Sequence, residues 1–157
     1  MEIVLLAIGK TATGYLEKGI EEYCSRLKRY TPYKIVMLPD VKTSRKLTEE
    51  LQKVAEGKKI MESLSPSDFV MLLDERGREY KSVEFAGMLQ KKMASGLKRL
   101  VFVIGGPYGF SEEVYGRADA MLSLSRMTFN HEMVRLFFTE QIYRAMTILR
   151  GEPYHHE

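Results

Sequence analysis

The chain has 157 residues, the size of one domain and enough to bury a substantial core. Its 45% hydrophobic and 29% charged content is that of a globular protein, and no apolar run approaches the roughly 20 residues that cross a bilayer. A formal charge of +3 admits an anionic partner such as RNA without requiring one, and the single cysteine, Cys24, excludes an intrachain disulfide and an all-cysteine metal site.

Taken from the N-terminus, the first element is an apolar run, Ile3–Ile8, read as a strand. It is preceded by an acid, Glu2, and is too short for a signal peptide, which points with the cysteine usage to the cytoplasm. Tyr15, Leu16, Gly19, Tyr23 and Leu27 then mark one face of a helix. A second strand is expected at Tyr33–Leu38, followed by a helix with its apolar face at Leu47, Leu51, Val54 and Ala55. Phe69–Leu73 reads as the third strand, and Val83, Phe85, Leu89 and Met93 as the face of the third helix. Leu100–Ile104 is the fourth strand, Glu112–Asp119 a short helix and Ala120–Leu124 the fifth strand. A long helix, Glu132–Arg150, closes the series.

The strands are nearly continuous in Ile, Val, Leu, Met and Phe, as strands buried on both faces should be. Regular β-α alternation without repeats or linkers gives an α/β fold over residues 1–157, a parallel sheet flanked by helices. The last helix carries Met133, Phe137, Phe138, Ile142, Met146 and Leu149 in nearly every direction around its axis. Such a helix is covered on more than one side, either deep in its own chain or by a second subunit.

In a parallel sheet, ligands bind beyond the carboxyl ends of the strands, and three such ends are rich in special residues. They are Leu73-Asp74-Glu75-Arg76-Gly77, Gly105-Gly106-Pro107-Tyr108-Gly109, and Leu124-Ser125-Arg126-Met127-Thr128-Phe129 with Asn130 as N-cap of the last helix. The glycine loop lacks the Lys-Ser/Thr of a P-loop and the spacing of a dinucleotide fingerprint. Ser111 caps the helix behind it, and Glu112 and Glu113 fill its first turn, where carboxylates would repel a phosphate. A neutral or cationic ligand meets no such penalty. The acids at Asp74 and Glu75 have no His or Cys beside them, so no metal site is expected. Basic residues at Arg26-Leu-Lys28-Arg29, Lys42, Arg45-Lys46, Lys58-Lys59, Lys91-Lys92 and Lys98-Arg99 are each ordinary helix-end charges, but together they could track an RNA backbone. The tail GEPYHHE sets Tyr154, His155 and His156 close together, side chains able to donate, accept protons or stack on a base.

Several of these stretches together resemble one family: the IGGPYG loop, the LSRMT loop, the H-x-x-V-R opening of the last helix, its Gln141-Ile-Tyr143-Arg144-Ala145 segment and the PYH tail. It is the RlmH (YbeA-like) group of SPOUT-class methyltransferases, and the likeness runs from first residue to last. The resemblance implies methylation of N3 of a pseudouridine in 23S rRNA of the large ribosomal subunit, with S-adenosylmethionine as donor. It further implies a trefoil knot in the C-terminal part of the fold and a homodimer with the tail near a site at the subunit interface. By match to the family motifs, Leu73, Gly105, Leu124, Ser125, Arg126, Met127, Thr128 and Phe129 would line the cofactor pocket. His155 is the candidate for proton removal or substrate positioning, Arg144 for charge stabilisation or phosphate contact, with Tyr154 able to donate and His131 a second titratable group. The family tail often has Arg or Lys where this chain has His156. Other readings of the residues are a methyltransferase acting on another RNA such as tRNA, a non-catalytic nucleotide- or RNA-binding α/β module, and a flavodoxin-like phosphate binder, which Glu112 and Glu113 disfavour.

Overall fold

Strands and helices alternate strictly in the computed structural model, which describes residues 1–41 and 47–157. Lys42, Arg45 and Lys46 of the expected basic track lie outside the described residues. The elements are β1 (Glu2–Ile8), α1 (Gly14–Leu27), β2 (Tyr33–Leu38), α2 (Glu49–Glu62), β3 (Phe69–Glu79), α3 (Ser82–Ala94), β4 (Arg99–Ile104), α4 (Glu112–Arg117), β5 (Ala120–Ser123) and α5 (His131–Leu149). The five strands form one sheet in the order β2-β1-β4-β3-β5, and every pairing is parallel. The expected α/β class with a parallel sheet between helical layers is therefore what the chain adopts.

Period-two alternation divides the sheet between two cores. Ile3, Leu5 and Ala7 of β1 face a layer containing Leu27 of α1, Phe85 of α3 and Phe138 of α5. Val4, Leu6 and Ile8 face Ile60 of α2 and Val114 of α4. Each of these fully buried aliphatic side chains contributes about 1.5–3 kcal/mol relative to exposure, which is why both faces of the strands read as apolar.

Two elements depart from the sequence reading. β3 does not stop at Leu73 but continues through the acidic stretch, pairing Arg78 with Leu122 and Glu79 with Ser123 after a bulge. Gly77 makes this possible: a Cβ there would lie 2.6 Å from the backbone of Leu122 and Met121. In α2, Leu51 and Val54 are 56% and 37% exposed, and the buried face is Glu56, Gly57 and Ile60 instead. This face meets α4, with Gly57 giving room to Ser111. A core built from a glycine and a carboxylate carries no apolar period to detect.

α5 lies between α1 and α3. Phe138, Ile142, Ala145 and Met146 are buried, while Met133 and Phe137 on its outer side remain 36% and 39% exposed. Asn130 caps it as expected, Oδ1 accepting from the N–H groups of Glu132 (2.9 Å) and Met133 (3.3 Å). Its first turn is tied to the end of β1 by buried Arg135, which donates from Nη2 to the Ile8 carbonyl (2.8 Å) and from Nη1 to Thr11 Oγ1 (3.0 Å). Glu132 accepts from the Ala12 and Thr13 N–H groups, and the Ala12 bond first of all holds its carboxyl below the usual value. These two side chains fix the helix start beside the strand ends.

Candidate active site

Beside the bulge of β3 and beyond the carboxyl ends of β4 and β5 lies a cleft of about 780 Å³, within the usual range for a small-molecule site. Of the eight residues expected to line a cofactor pocket, Leu73, Gly105, Leu124, Ser125, Met127, Thr128 and Phe129 all line it. Arg126 does not: its side chain is 88% exposed and pairs with Glu79 at the end of β3 (2.9 Å). The β5–α5 loop is shaped locally, with Ser123 Oγ donating to the Ser125 carbonyl and the Met127 N–H to Ser125 Oγ, both at 3.0 Å. Ile104, Leu122 and Val134 add apolar wall, and His131 lines the same cleft at the start of α5.

The carboxylates of this cleft are Asp74, which pairs with Arg76 of the same wall, and Glu75; Glu112 and Glu113 occupy the first turn of α4 but do not line it. Burial alone would raise the Asp74 carboxyl. Donation from Tyr115 (2.5 Å), from the Arg76 N–H (2.9 Å) and from its guanidinium outweighs that and holds Asp74 below its ordinary value. Tyr115 in turn accepts from Arg76 Nη2, and the guanidinium lies 4.9 Å from the Tyr115 ring centroid. Asp74 is thus a fixed carboxylate in the wall.

The glycine loop is a tight turn closed by the Gly109 N–H on the Gly106 carbonyl (3.1 Å), with Gly109 at φ +84°. Gly105 bears on packing as much as on the ligand: a Cβ there would meet the Phe110 ring at 3.1–3.3 Å. Behind Gly106 sits the buried Glu56, whose carboxyl is pushed up by burial and whose Oε1 has no hydrogen-bond partner among the described residues.

The tail forms a second cluster. Arg144 donates from Nε (3.0 Å) and Nη2 (2.5 Å) to Glu140 Oε1, and its Nη1 lies 3.1 Å from His155 Nδ1. Tyr154 donates to Glu140 Oε1 (3.0 Å), lies 3.1 Å from the Tyr23 hydroxyl, and packs edge-on against Tyr143 (centroids 4.7 Å apart). Burial, then the contacts with Tyr23 and Glu140, push its phenol well above the usual range. Arg144, Tyr154 and His155 are therefore brought together, whereas His131 belongs to the strand-end cleft. An apolar cavity of about 600 Å³ adjoins the cluster, lined by Tyr23, Glu140 and Arg144 at one end and sharing Leu122, Leu124 and Phe129 with the first cleft. Sequence reasoning missed Glu140 and Tyr23. The i, i+4 spacing of Glu140 and Arg144 was available as a signal; Tyr23, 131 residues from Tyr154, gave none.

Among the described residues no group of three or more His, Cys, Asp or Glu is placed to hold a metal ion, and no helix is long and apolar enough to cross a membrane. The class these features define is a parallel α/β protein with a cleft, part apolar and part polar, formed by the β3 bulge and the loops after β4 and β5. The chain belongs to the SPOUT methyltransferase family, whose description, "Predicted SPOUT methyltransferase", matches residues 1–155. It is similar to proteins named ribosomal RNA large subunit methyltransferase H, at 57% identity in Porphyromonas gingivalis and 54% in both Parabacteroides distasonis and Flavobacterium johnsoniae. Each of these alignments covers the whole of both chains.

Proposed function

We propose that this chain methylates N3 of a pseudouridine in the 23S rRNA of the large ribosomal subunit, with S-adenosylmethionine as methyl donor. One observation carries the reading: a full-length match to proteins named for large-subunit rRNA methylation, in a chain whose resemblance-derived pocket residues converge, seven of eight, on one cleft. The cleft suits the donor. Its apolar part, with Leu73, Ile104, Leu122 and Leu124, fits an adenine ring, the glycine turn lets backbone come near, and Glu75 beside the Asp74–Arg76 pair is compatible with a ligand that is cationic and free of phosphate. When bound, S-adenosylmethionine supplies an electrophilic methyl group on a sulfonium.

The residues of this chain have the remaining tasks. Ile104 and Leu122, with Leu73 and Leu124, give the donor an apolar wall that excludes water. Arg144 and His155 present N–H groups to the target base, where charge develops on carbonyls flanking the reacting nitrogen. We read residues 1–157 as one methyltransferase domain acting in the cytoplasm, where ribosomes are. The trefoil knot fits the topology: β4 inserts between β1 and β3, while β5 pairs with the other edge of β3. A homodimer fits the exposed apolar strip of Met127 (77%), Phe129 (38%), Met133 (36%) and Phe137 (39%) beside the cleft.

The test is mass spectrometry of rRNA nucleosides from cells lacking this chain, with and without its restoration. N3-methylpseudouridine should disappear from the large-subunit rRNA and return with the chain. Its persistence in the deletion, or loss of a methyl from a tRNA instead, overturns the assignment.

A further inference from the structure

The donors and acceptors available in the tail cluster constrain where its protons lie. Arginine has five N–H donors and no acceptor. Because Arg144 Nη1 sits 3.1 Å from His155 Nδ1, that ring nitrogen must be the acceptor. A neutral imidazole accepting at Nδ1 carries its proton on Nε2. In an imidazolium, an Nδ1–H would point at the Arg144 N–H, so the contact selects the neutral Nε2–H tautomer. The only basic lone pair on the ring is then occupied.

Glu140 keeps Arg144 in that position. Its Oε1 accepts from Arg144 Nε and Nη2 and from the Tyr154 hydroxyl, and its Oε2 from Gln141 Nε2 (3.1 Å). The Arg144 guanidinium also lies 4.8 Å from the Tyr154 ring centroid. The single hydroxyl proton of Tyr154 is spent on Glu140, so the Tyr23 hydroxyl is the donor of the 3.1 Å pair and Tyr154 has none to offer a substrate. Arg144 uses one proton on each of Nε, Nη1 and Nη2, which leaves two N–H groups. Among the described residues nothing accepts from His155 Nε2.

We propose that His155 acts in the reaction as a neutral hydrogen-bond donor through Nε2–H, directed at a carbonyl oxygen of a uracil-type base, and not as the group that removes its proton. Glu140 and Arg144 are the positioning residues that set this tautomer. The inference rests on the rRNA methyltransferase reading. The N3 proton passes to solvent, and the electron pair it leaves is shared with the two flanking carbonyl oxygens until it forms the N–CH3 bond, while the S–CH3 bond of the donor breaks and its electron pair stays on the sulfur of the departing S-adenosylhomocysteine. His155 Nε2–H and the two free Arg144 N–H groups stabilise that charge. A ring held this way also selects its substrate, because a base presenting an amino group at the same place would set donor against donor.

The experiment uses the full-length protein, S-adenosylmethionine and large ribosomal subunits lacking the modification. His155→Gln places an amide N–H near the Nε2 position but cannot take up a proton, so its single-turnover rate should stay within about tenfold of wild type, whereas His155→Ala should lose about 10²–10³-fold. Cofactor affinity by calorimetry should be unchanged in both. Nitrogen-15 spectra of histidine-labelled protein, assigned by the signal missing in His155→Gln, should show His155 unprotonated at Nδ1 and protonated at Nε2. Glu140→Ala should turn that into a mixture of tautomers and lower kcat with little change in KM. Should wild-type protein fail to methylate the ribosomal subunits, the proposed function itself falls. With active wild type, a His155→Gln rate as low as that of His155→Ala, or a proton on Nδ1, overturns the donor role.

Discussion

The strand-end cleft and the tail cluster are built on opposite principles. The cleft is made of the bulged part of β3 and the loops at the ends of β4 and β5, and its walls combine apolar side chains, backbone and polar groups in about equal share. Its shape follows from the sheet, since parallel strands in register bring their carboxyl ends to one place. The tail cluster is made of polar side chains from α1, α5 and the last residues, held by a branched network centred on one carboxylate, Glu140. The first depends on backbone placement and tolerates many side chains; the second depends on individual hydrogen-bonding groups and tolerates few. Damage to the sheet should therefore abolish ligand binding, while damage to the tail should leave the ligand in place and impair only what is done with it.

The largest effect is expected where the backbone itself is crowded. Gly77→Ala forces a Cβ to 2.6 Å from the Leu122 and Met121 backbone, so β5 must shift and the cleft lose its Leu122–Leu124 wall. A destabilisation of about 3 kcal/mol is expected in denaturant unfolding, with S-adenosylmethionine binding lost in calorimetry. Unchanged binding would separate the cleft from the β3–β5 register. A smaller effect belongs to Asp74, only 9% exposed and held below its ordinary value by its donors. A depressed carboxyl stabilises the fold above its unfolded value and loses that contribution as pH falls through the folded one. The stability gap between wild type and Asp74→Asn should thus be about 1–2 kcal/mol and flat down to roughly pH 5, then close below about pH 4. A gap that widens on acidification contradicts the network. Smallest in stability is Tyr154→Phe, which removes one donor from Glu140 and one acceptor from Tyr23 for about 1 kcal/mol. Here cofactor affinity should hold while the methylation rate falls; a parallel loss of affinity would mean that the two regions are one.

Much of this was legible along the chain because the signals are local. Apolar runs gave all five strands, and Ser111 and Asn130 marked helix starts that the structure realises through hydrogen bonds to Val114 and to Glu132 and Met133. The converging loops could be named because a parallel sheet leaves its strand ends on one side. What failed was non-local. The extension of β3 depends on a partner strand 44 residues on from Arg78, and the sequence there, acidic and glycine-containing, looks like a turn. The buried face of α2 is set by α4 and Ser111 and not by its own apolar spacing.

The sequence by itself determined the α/β class, the strand ends whose loops line the cleft and most of the residues of those loops, because periodicity, capping and turn chemistry act over a few residues. Only the tertiary structure decided that Arg126 turns away to Glu79, that Gly105 backs onto Phe110, and that Glu140 and Tyr23 complete the tail. Hydrogen-bond donors and acceptors are assigned by which groups meet in space, and residues 23, 140, 144 and 154–155 meet only after the sheet has brought α1 and α5 together.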